Sequence, residues 1–570
     1  MTKLHYRLLT GALACAVLAA SGFASVSVAY PHALASLRNR LASLQPGERA
    51  TPSGPGAAAI RFDPAASGTA ISPLIYGVAA ASPDVVRALG ATVDRWGGNP
   101  SSRYNWVNGH AWNAGRDWEF RNVNYSGAGG SAADAAVAGE LAAGAMPLLT
   151  VPTLGFVARN DRNDTHSAGV PGQGGPPVQP GSAAIAGYDP AAKRAATSVP
   201  SFARKPGPLL DPPDPNAPGV YQDEWIHHLV KRFGAGVEGV RYFAMDNEPD
   251  LWSTTHTDVH PVRMGYDDIL ANFNQYAGMV KEQDPDAQVL GPDVSGWTGY
   301  LFSDLDRGTD GFATHADRKR HGDQDFLAWW LQQVARADSV RGSRTLDLLS
   351  VHYYPQAGGV TSPARDRATQ ARRLRSVQSL YDPTYVDESW IGTSVTLVPR
   401  LQRWIAQSYP GTGLAITEYN WGGEKDASGA VALAMVLGTF GVTGVSLACY
   451  WTYPPPASPA GAAFRLYRNY DGQGATFGDR SLPVTSGDPR LAVFASRHSE
   501  SGEVDVVLAN QSLSDPIRAT LVAADGHRYR AAQFRIASGS GQIVPAPMAS
   551  AAEPVEVAPL TVVLVRLVPA

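Results

Sequence analysis

From about Ile71 onward, short apolar runs alternate along the chain with longer stretches of helical periodicity. Such alternation is typical of strand–helix units that build a parallel sheet. Eight of the runs have the length and composition of strands, and each is followed by enough chain for a helix or a long loop. They span residues 73–80, 91–97, 145–152, 239–248, 287–294, 346–354, 414–420 and 445–453. The pattern predicts an α/β fold, with a (β/α)8 TIM-type barrel over residues 73–455.

After residue 455 the pattern changes to short alternating segments separated by turn residues, such as residues 491–497 and 504–510. Period-two alternation of this kind is typical of antiparallel sheets with one buried face. We therefore expect an additional all-β sandwich domain over residues 456–570. Residues 57–72 have the same character, so we expect them to contribute a strand to the sandwich from the other end of the barrel.

The first residues have the features of a signal peptide. Residues 1–29 combine the positive charges of Lys3 and Arg7 with an apolar run, and they end in small residues. The run is too short for a typical membrane span, so we expect no stable membrane insertion. Residues 30–56 are small and polar and are interpreted as a linker. The protein is expected to be secreted, either to the medium or to a periplasm.

A second unusual segment is the Gly-, Pro-, Asp- and Asn-rich stretch from 155 to 220. A structureless insertion of this length is uncommon inside a compact domain. We interpret it as an extension of the third strand–helix loop that covers one end of a cleft. A surface excursion is an equal alternative for its middle part.

Composition narrows the choice of ligand. The net charge is −4, 17% of residues are charged and no long Lys/Arg run is present, so a nucleic-acid partner is not expected. The chain contains 13 Trp and 22 Tyr, a balance that suits a neutral ligand such as a sugar. Its two cysteines, Cys15 and Cys449, make no disulfide framework.

Polar and aromatic residues gather at the carboxyl ends of the predicted strands. In a (β/α)8 barrel these ends form one face, and active sites lie on it. A purely structural strand has no reason to end so often in such residues. The residues concerned are Arg95, Trp96, Asn247, Glu248, His352, Tyr354, Glu418, Tyr419 and Trp451.

Two glutamates in this set fit the chemistry of glycosidic bond cleavage. One carboxyl group must protonate the leaving oxygen, and a second must attack the anomeric carbon or activate water. Glu248 follows one strand in YFAMDNEPDLW, and Glu418 ends another in LAITEYNWGG, 170 residues later. A strand-end glutamate is more often a helix-cap neighbour or an ion-pair member, but both glutamates here are flanked by hydrogen-bonding and stacking residues. Weaker candidates for the acids are Asp246, Asp250, Glu119 and Glu424.

Three segments resemble the signature segments of glycoside hydrolase family 44, which contains endoglucanases and xyloglucanases. They are RWGGNPSSRYNW (95–106), DNEPDLWSTTHTDVHP (246–261) and ITEYNWGG (416–423). The resemblance extends from about residue 57 to the C-terminus. It implies a barrel joined to a β-sandwich, net retention of configuration, Glu248 as acid/base and Glu418 as nucleophile. It also implies a structural divalent ion such as calcium, with ligands that cannot be matched here, while the chemistry requires no cofactor.

The chemistry leads to expectations about neighbouring residues. We expect burial and the charge of Glu418 to keep Glu248 protonated, and Arg95 to pair with Glu418. Retention requires a separation of about 5–5.5 Å between the two carboxyl groups. Asn247 is placed to bond the sugar 2-hydroxyl. His352 either orients Glu418 or a sugar hydroxyl, or is a structural histidine.

Six aromatic residues are candidates for stacking on sugar faces, although each of them could instead cap the barrel core. They are Trp96, Trp106, Tyr354, Tyr419, Trp421 and Trp451. Trp451 is the strongest candidate for the position beside the cleaved bond. His256 and His260 have a spacing that could hold a metal on a helix, but Pro261 indicates a loop and no third ligand is evident, so a zinc site is disfavoured.

The sequence therefore predicts a retaining, endo-acting hydrolase of β-1,4-glucan backbones, either cellulose-type glucan or xyloglucan. Two alternatives stay open. One is a related barrel enzyme that acts on mannan, xylan or mixed-linkage glucan, and the other is a non-catalytic carbohydrate-binding protein. The expected partner is a β-linked polysaccharide, and we expect a monomer.

Overall fold

The computed structural model of the protein describes residues 54–112, 121–125, 132–161, 197–308, 310–537 and 539–570. The predicted signal peptide, residues 1–29, lies outside this part of the chain. Most of the predicted linker, the middle of the 155–220 loop, and Glu119 and Cys15 also lie outside it. Strands and helices are labelled below in chain order within the described residues.

The eight predicted strands form a closed, all-parallel barrel, which confirms the predicted fold. Each barrel strand pairs in parallel with its two neighbours, and β7 pairs with β11 to complete the ring. The strands are β3 (Gly77–Ala79), β4 (Val93–Trp96), β7 (Met146–Val151), β11 (Tyr242–Met245), β12 (Gln288–Val294), β13 (Leu348–Tyr353), β14 (Gly413–Tyr419) and β15 (Leu447–Tyr450).

Helices surround the barrel and fill its loops. The longer ones carry an apolar side toward the strands, which is where the main core of the protein lies. The helices are α1 (Pro83–Leu89), α2 (Ala132–Ala143), α3 (Gln222–Phe233), α4 (Trp252–Thr255), α5 (Tyr266–Gln283), α6 (Trp297–Leu301), α7 (Asp304–Arg307), α8 (Ala316–Arg320), α9 (Phe326–Arg341), α10 (Arg367–Ser376), α11 (Leu397–Ser408), α12 (Ala427–Thr443) and α13 (Pro459–Arg468). Among the described residues, none of these helices has both the length and the apolar character needed to cross a membrane.

The inside of the barrel is apolar at its amino-terminal end and polar at its carboxyl end. A compact apolar cluster there includes Val93, Leu290, Leu348 and Ala415. Further along the same strands the inward side chains become charged, beginning with Arg95, which is completely buried. The polar end is the face on which barrel enzymes carry their active sites.

Two small sheets lie in the loops of the barrel. The hairpin β5 (His110–Trp112) and β6 (Asn122–Asn124) follows β4. A three-stranded sheet of β8 (Phe156–Ala158), β9 (Ser198–Phe202) and β10 (Val220–Tyr221) comes from the predicted long loop between the third strand and its helix.

The C-terminal region forms two facing sheets around a second apolar core. One sheet has the order β17-β1-β20-β23 and the other the order β2-β16-β18-β19-β24-β21-β22. The strands are β1 (Gly56–Phe62), β2 (Thr69–Ala70), β16 (Arg480–Leu482), β17 (Val484–Ser486), β18 (Leu491–Arg497), β19 (Val504–Asn510), β20 (Ile517–Ala523), β21 (Tyr529–Ile536), β22 (Ile543–Pro547), β23 (Val555–Val557) and β24 (Val562–Pro569). The N-terminal strand β1 pairs in parallel with β20, so the sandwich contains chain from both sides of the barrel.

One predicted boundary is wrong. We placed residues 456–570 in the sandwich, but residues 459–468 form helix α13, which packs against α12 and α1. Its side chains Phe464 and Tyr467 are buried in the main core of the barrel. The helix therefore belongs to the barrel, as the helix that follows its eighth strand.

Candidate active site

Irregularities in β12 and β14, the two strands that flank β13, set the direction of the charged side chains. The β12–β13 pairing slips at Asp293, and the β13–β14 pairing slips between Ile416 and Glu418. Each slip inserts an extra residue and reverses the alternation beyond it, as β-bulges do beside many active sites. Because of the second bulge, Glu418 lies among the polar side chains at the carboxyl end of the barrel, and Tyr419 lies in the outer core.

Glu418 is held by donors on both of its oxygens. Arg95 donates from Nη1 to Oε1 over 2.7 Å, which is the contact that we predicted. The Tyr354 hydroxyl donates to Oε2 over 2.7 Å. Only 7% of the Glu418 side chain is exposed. A carboxylate that accepts charge-assisted bonds in this way is fixed in one orientation and stabilised as the anion.

Glu248 has different surroundings. It follows β11 with a left-handed backbone (φ 48°), and 15% of its side chain is exposed, so it lies at an opening. Its only hydrogen-bond partner among the described side chains is His352, whose Nδ1 lies 2.9 Å from Oε1. Burial raises the pKa of the Glu248 carboxyl, and the charges of Glu418 and Asp250 add to this effect against the opposing effect of His352.

The two glutamates and His352 converge on one point. One carboxylate oxygen from each glutamate and one ring nitrogen of His352 all lie within 4.8 Å of one another. His352 Nδ1 also lies 3.5 Å from Glu418 Oε2. The His352 side chain thus faces both acids, whereas the sequence left open Glu418, a sugar hydroxyl or a structural role as its partner.

Asn247 is part of the same network. Its Oδ1 accepts a bond of 2.8 Å from Arg95 Nη2, and its Nδ2 donates to Asn99 Oδ1 over 2.9 Å. The side chain is therefore fixed beside Glu248 with a known orientation. Asn99 was not selected from the sequence, although it lies within the RWGGNP segment that we singled out.

Asp293, which was not selected from the sequence, lies in the middle of the polar cluster. Its Oδ2 accepts from Arg95 Nη2 at 3.0 Å and lies 3.4 Å from His352 Nε2. Its Oδ1 accepts from the Thr417 hydroxyl. Burial acts against its charge, but Arg95 and His352 hold the pKa of this carboxyl well below its ordinary value. Its position at the end of the fifth predicted strand was a signal that could have identified it.

Two of the six candidate aromatic residues reach the site. Tyr354 contacts Glu418 directly. Trp451 lies over the guanidinium of Arg95, with 5.8 Å between Arg95 Cζ and the ring centroid. The ring rests against Gly98, where an added Cβ would lie only 2.5 Å from the Trp451 Cη2 atom. A glycine is required at this position, which also has a left-handed backbone (φ 88°).

Three of the other four aromatic candidates are buried outside the cleft, and their assignment to sugar binding is wrong. The fourth, Trp96, is partly exposed, and its part in sugar binding stays a prediction. Tyr419 is fully buried on the outer side of β14, edge-on to Phe440. Trp421 is 2% exposed and donates to Ser376 Oγ. Trp106 is 4% exposed and donates to the carbonyl of residue 221.

Trp96 is the fourth of these residues. It alternates with the inward Arg95 on β4, so it faces the surrounding helices. Its ring packs edge-on against Tyr104 and Trp225, with centroids 4.5 Å and 6.4 Å away. Strand alternation could have shown that Trp96 points away from the barrel interior. It fails at Tyr419, because the bulge in β14 reverses the alternation there.

The geometry does not favour a metal in the site. Among the described residues, three potential ligands from His, Cys, Asp and Glu come together only at Glu248, His352 and Glu418. Calcium takes six to eight oxygen ligands. Here one ligand is a nitrogen, and Glu418 already accepts from Arg95 and Tyr354. This cluster therefore does not fit calcium.

The pair His256 and His260 also makes no zinc site within the described chain. Helix α4 ends at Thr255, so the two histidines do not share a helix. The His256 ring is buried against Trp112, with 4.6 Å between centroids.

Comparison with known proteins places this geometry in a family. The profile of glycoside hydrolase family 44 matches residues 111–357. The crystal structure of CelM2, a bifunctional glucanase-xylanase from a metagenome library, superimposes with a TM-score of 0.79 and 33% identity, covering 90% of this chain and all of that one. The chain belongs to glycoside hydrolase family 44. This membership confirms the resemblance that the three sequence segments indicated.

Two further relatives support the assignment to family 44. A family 44 xyloglucanase from Paenibacillus polymyxa, solved with xyloglucan, has a TM-score of 0.78 and 28% identity, covering 90% of this chain and all of that one. Endoglucanase A of Paenibacillus lautus is 33% identical over 484 residues, which is 81% of this chain. The chain spans 64% of the length of that endoglucanase.

Proposed function

We propose that the protein is a retaining, endo-acting glycoside hydrolase that cleaves β-1,4-glucan backbones, either cellulose-type glucan or xyloglucan. The observation that carries the proposal is that one oxygen of Glu248 and one oxygen of Glu418 lie within 4.8 Å of each other, although the two carboxyl groups have different surroundings. Oxygens this close are compatible with the separation of about 5–5.5 Å between the carboxyl groups of retaining enzymes, and they are closer than the wider spacing that inverting enzymes need to hold a water between their acids.

In the first half of the reaction, Glu418 is the nucleophile and Glu248 is the acid. A Glu418 oxygen attacks the anomeric carbon while Glu248 gives its proton to the glycosidic oxygen, so that the carbon–oxygen bond breaks and the leaving chain departs as an alcohol. Arg95 and Tyr354 hold Glu418 for this attack. The raised pKa of Glu248 supplies the proton that the leaving group needs.

In the second half, water replaces the leaving chain and Glu248 acts as base. It removes a proton from the water, the oxygen attacks the anomeric carbon and Glu418 leaves as the carboxylate. Two inversions at one carbon give net retention. Asn247, fixed by Arg95 and Asn99, is placed to bond the sugar 2-hydroxyl, an interaction that strengthens in the transition state.

The relatives support the choice of substrate class. The P. polymyxa xyloglucanase was solved with xyloglucan, and the P. lautus relative is an endoglucanase. CelM2 is described as a glucanase-xylanase, so xylan belongs in any substrate test. The apolar face of Trp451 beside the two acids suits a pyranose ring.

We further propose that the protein is secreted and acts as a monomer. The signal-peptide character of residues 1–29 supports secretion. A structural calcium ion outside the described ligand clusters stays a prediction from the family resemblance. It predicts that a chelator lowers the unfolding temperature and leaves the chemistry of the intact enzyme unaffected.

The test is a product analysis on soluble polysaccharides. Wild-type protein is incubated with xyloglucan, carboxymethylcellulose, mixed-linkage glucan, mannan and xylan, and proton NMR follows the anomer that forms first. We expect the β-anomer first and internal cleavage of xyloglucan or carboxymethylcellulose. The matched control is Glu248→Gln, which keeps the shape of the site and removes the proton.

Three outcomes would contradict the proposal. The α-anomer appearing first would overturn retention. Equal rates for wild type and Glu248→Gln would remove Glu248 from the mechanism. Binding of polysaccharide by wild type without any hydrolysis would favour the alternative of a carbohydrate-binding protein.

A further inference from the structure

The carboxylate of Asp293 is buried and bonds neither catalytic carboxyl group, although the Asp293 backbone carbonyl accepts from the Glu248 backbone N–H over 3.1 Å. Asp293 lies at the bulge of β12 with a left-handed backbone (φ 56°), and its side chain is completely buried. A non-glycine residue in this conformation is uncommon and is held in place by its surroundings. Its partners are Arg95, His352 and Thr417.

Those partners connect Asp293 to both acids. Arg95 contacts Asp293 through Nη2 and Glu418 through Nη1. His352 faces Asp293 with Nε2 and Glu248 with Nδ1. Asp293 therefore contacts two cations. Arg95 also bonds the nucleophile Glu418, and His352 also bonds the acid/base residue Glu248. Both ring nitrogens of His352 face carboxylates, although Nε2 also lies 3.5 Å from Arg95 Nη2. The three surrounding carboxylates outweigh this one cation, so the doubly protonated form of the ring is favoured.

The charges of this cluster balance in both halves of the proposed reaction. Arg95 and His352 are positive, and Asp293 and Glu418 are negative, so the buried group is neutral when Glu248 carries its proton. Once Glu418 is bound as a neutral ester, the group is neutral when Glu248 has lost its proton. Because unbalanced charge is costly in a buried site, each state favours the form of Glu248 that the next step needs.

We propose that Asp293 is a positioning residue that acts through Arg95 and His352 to keep Glu248 protonated before the first step. This inference rests on the proposed function, because it assigns a task within that reaction. Without Asp293 the cluster carries one excess positive charge whenever Glu248 is protonated. Glu248 then loses its proton more easily, and the first step slows.

Other groups near the cluster do not replace Asp293. Asp250 acts on Glu248 from the loop after β11, and its carboxylate is bonded to Ser295. The thiol of Cys449, on β15, is neutral because burial raises its pKa. Burial opposes the charge on His352, but Glu418, Asp293 and Glu248 together raise its pKa to about 10. Removal of Asp293 therefore lowers the pKa of both His352 and Glu248.

The experiment is the pH profile of kcat/KM for soluble xyloglucan with the full-length protein and Asp293→Asn. Asparagine keeps the shape and an acceptor oxygen, and it tolerates the left-handed backbone. The high-pH limb reports loss of the acid proton in the free enzyme. We expect this limb to move to lower pH by about one unit. We expect kcat/KM at neutral pH to fall by up to about 10-fold, which is what a one-unit shift of this limb produces.

Two further variants separate this role from a structural one. Asp246→Asn is the matched control, because Asp246 is also buried with a left-handed backbone (φ 65°). Its carboxylate accepts from the backbone N–H groups of Thr153, Leu154 and Asn247 instead of from the two cations. Its pH limb is expected to stay in place. His352→Gln removes a cation, so its limb is expected to move to higher pH. The double variant Asp293→Asn/His352→Gln removes one negative and one positive charge. Its high-pH limb is therefore expected to lie near that of wild type.

The outcomes distinguish this inference from the proposed function. If wild type hydrolyses none of the polysaccharides, the proposed function fails. If wild type is active and Asp293→Asn keeps the high-pH limb of wild type, the role of Asp293 is overturned. Circular dichroism checks the fold of each variant. Should Asp293→Asn fail to fold, the high-pH limb of His352→Gln decides the question. If that limb does not move to higher pH, the charge balance is overturned.

Discussion

The surroundings of Glu418 and Glu248 differ, although the two side chains are chemically identical and each has an oxygen within 4.8 Å of the other. Glu418 lies inside a strand and accepts from a guanidinium and a phenol. Glu248 lies just beyond a strand, more open to solvent, with one histidine as partner and two negative charges nearby. The hydrogen-bond donors around Glu418, one of them positively charged, stabilise it as the anion. Burial and nearby negative charge keep Glu248 protonated, so that it can act as the proton donor.

The difference teaches that the division of roles is built by the barrel and is not a property of the glutamates themselves. Four strands contribute to it: β4 through Arg95, β12 through Asp293, β13 through His352 and β14 through Glu418. Each of these residues comes from a distant part of the sequence. The predictions below alter one side of the comparison at a time.

The largest effect is expected from truncating each acid. With an aryl β-cellobioside that has a good leaving group, Glu418→Ala is expected to lose on the order of 10⁵- to 10⁶-fold in kcat, as for other nucleophiles. Glu248→Ala is expected to lose at most about 10²- to 10⁴-fold in kcat, because such a leaving group needs little protonation. Added azide is expected to give the α-glycosyl azide with the first variant and the β-glycosyl azide with the second.

The control for this pair is Glu424→Gln. Glu424 is bonded to Asn420 and Tyr450, and we expect it to take no part in the chemistry. The same azide anomer from both alanine variants would contradict the assignment of separate roles.

Next in size is the loss of Arg95. Arg95→Gln leaves Glu418 and Asp293 buried without their cation. Removing one partner of a buried ion pair is expected to lower the free energy of unfolding by about 3–5 kcal/mol and to abolish measurable hydrolysis. Urea unfolding checks the first value. Arg87→Gln, which breaks an exposed pair with Asp84, serves as control and should change stability by less than about 0.5 kcal/mol.

A smaller effect is expected from Tyr354→Phe, which removes one of the two donors to Glu418. A hydrogen bond to a charged group contributes about 1.5–3 kcal/mol, which corresponds to roughly a 10- to 100-fold fall in kcat/KM. Tyr353→Phe is the matched control, because that hydroxyl bonds Ser379 on the outer side of the same strand. Equal losses for the two variants would show that Tyr354 acts only through the fold.

The smallest effect concerns Asp250, whose charge raises the pKa of Glu248. A raised pKa means that activity is present below it and is lost as the pH rises through it, since the acid form is required. Asp250→Asn is expected to move the high-pH limb down by less than about one unit. Rates at the optimum should stay within a few-fold of wild type. A limb that moves upward would reverse the assigned sign.

Much of this arrangement could be predicted from the sequence. Apolar runs gave all eight barrel strands, and the polar residues after them gave both glutamates and the Arg95 contact. These signals are local, because strand alternation and strand ends can be read from a few adjacent residues. The boundary at residue 455 failed for a similar reason. The start of α13 carries a local helix signal, with Ser458 as its cap and Pro459 at its first position. Only packing against α12 and α1 shows that this helix belongs to the barrel.

The direction of individual side chains could not be predicted as well. Two bulges change which residues face the interior, and nothing in the letters around Ile416 or Asp293 announces an extra residue in the pairing. Tyr419 was therefore assigned to the wrong side. Trp106 and Trp421 look like sugar-stacking residues in sequence, but backbone and serine partners from distant segments hold their rings inside the protein.

Helix α12, Ala427–Thr443, has no face toward water. Nearly all of its side chains are buried, and on one side it contacts the sheet that contains β18, β19 and β24. At Gly438 an added Cβ would meet the Phe494 ring at 2.4 Å. The two folding units are therefore not separable parts. A barrel expressed alone would present an apolar helix to solvent and aggregate, so engineering of the catalytic half must carry the sandwich with it.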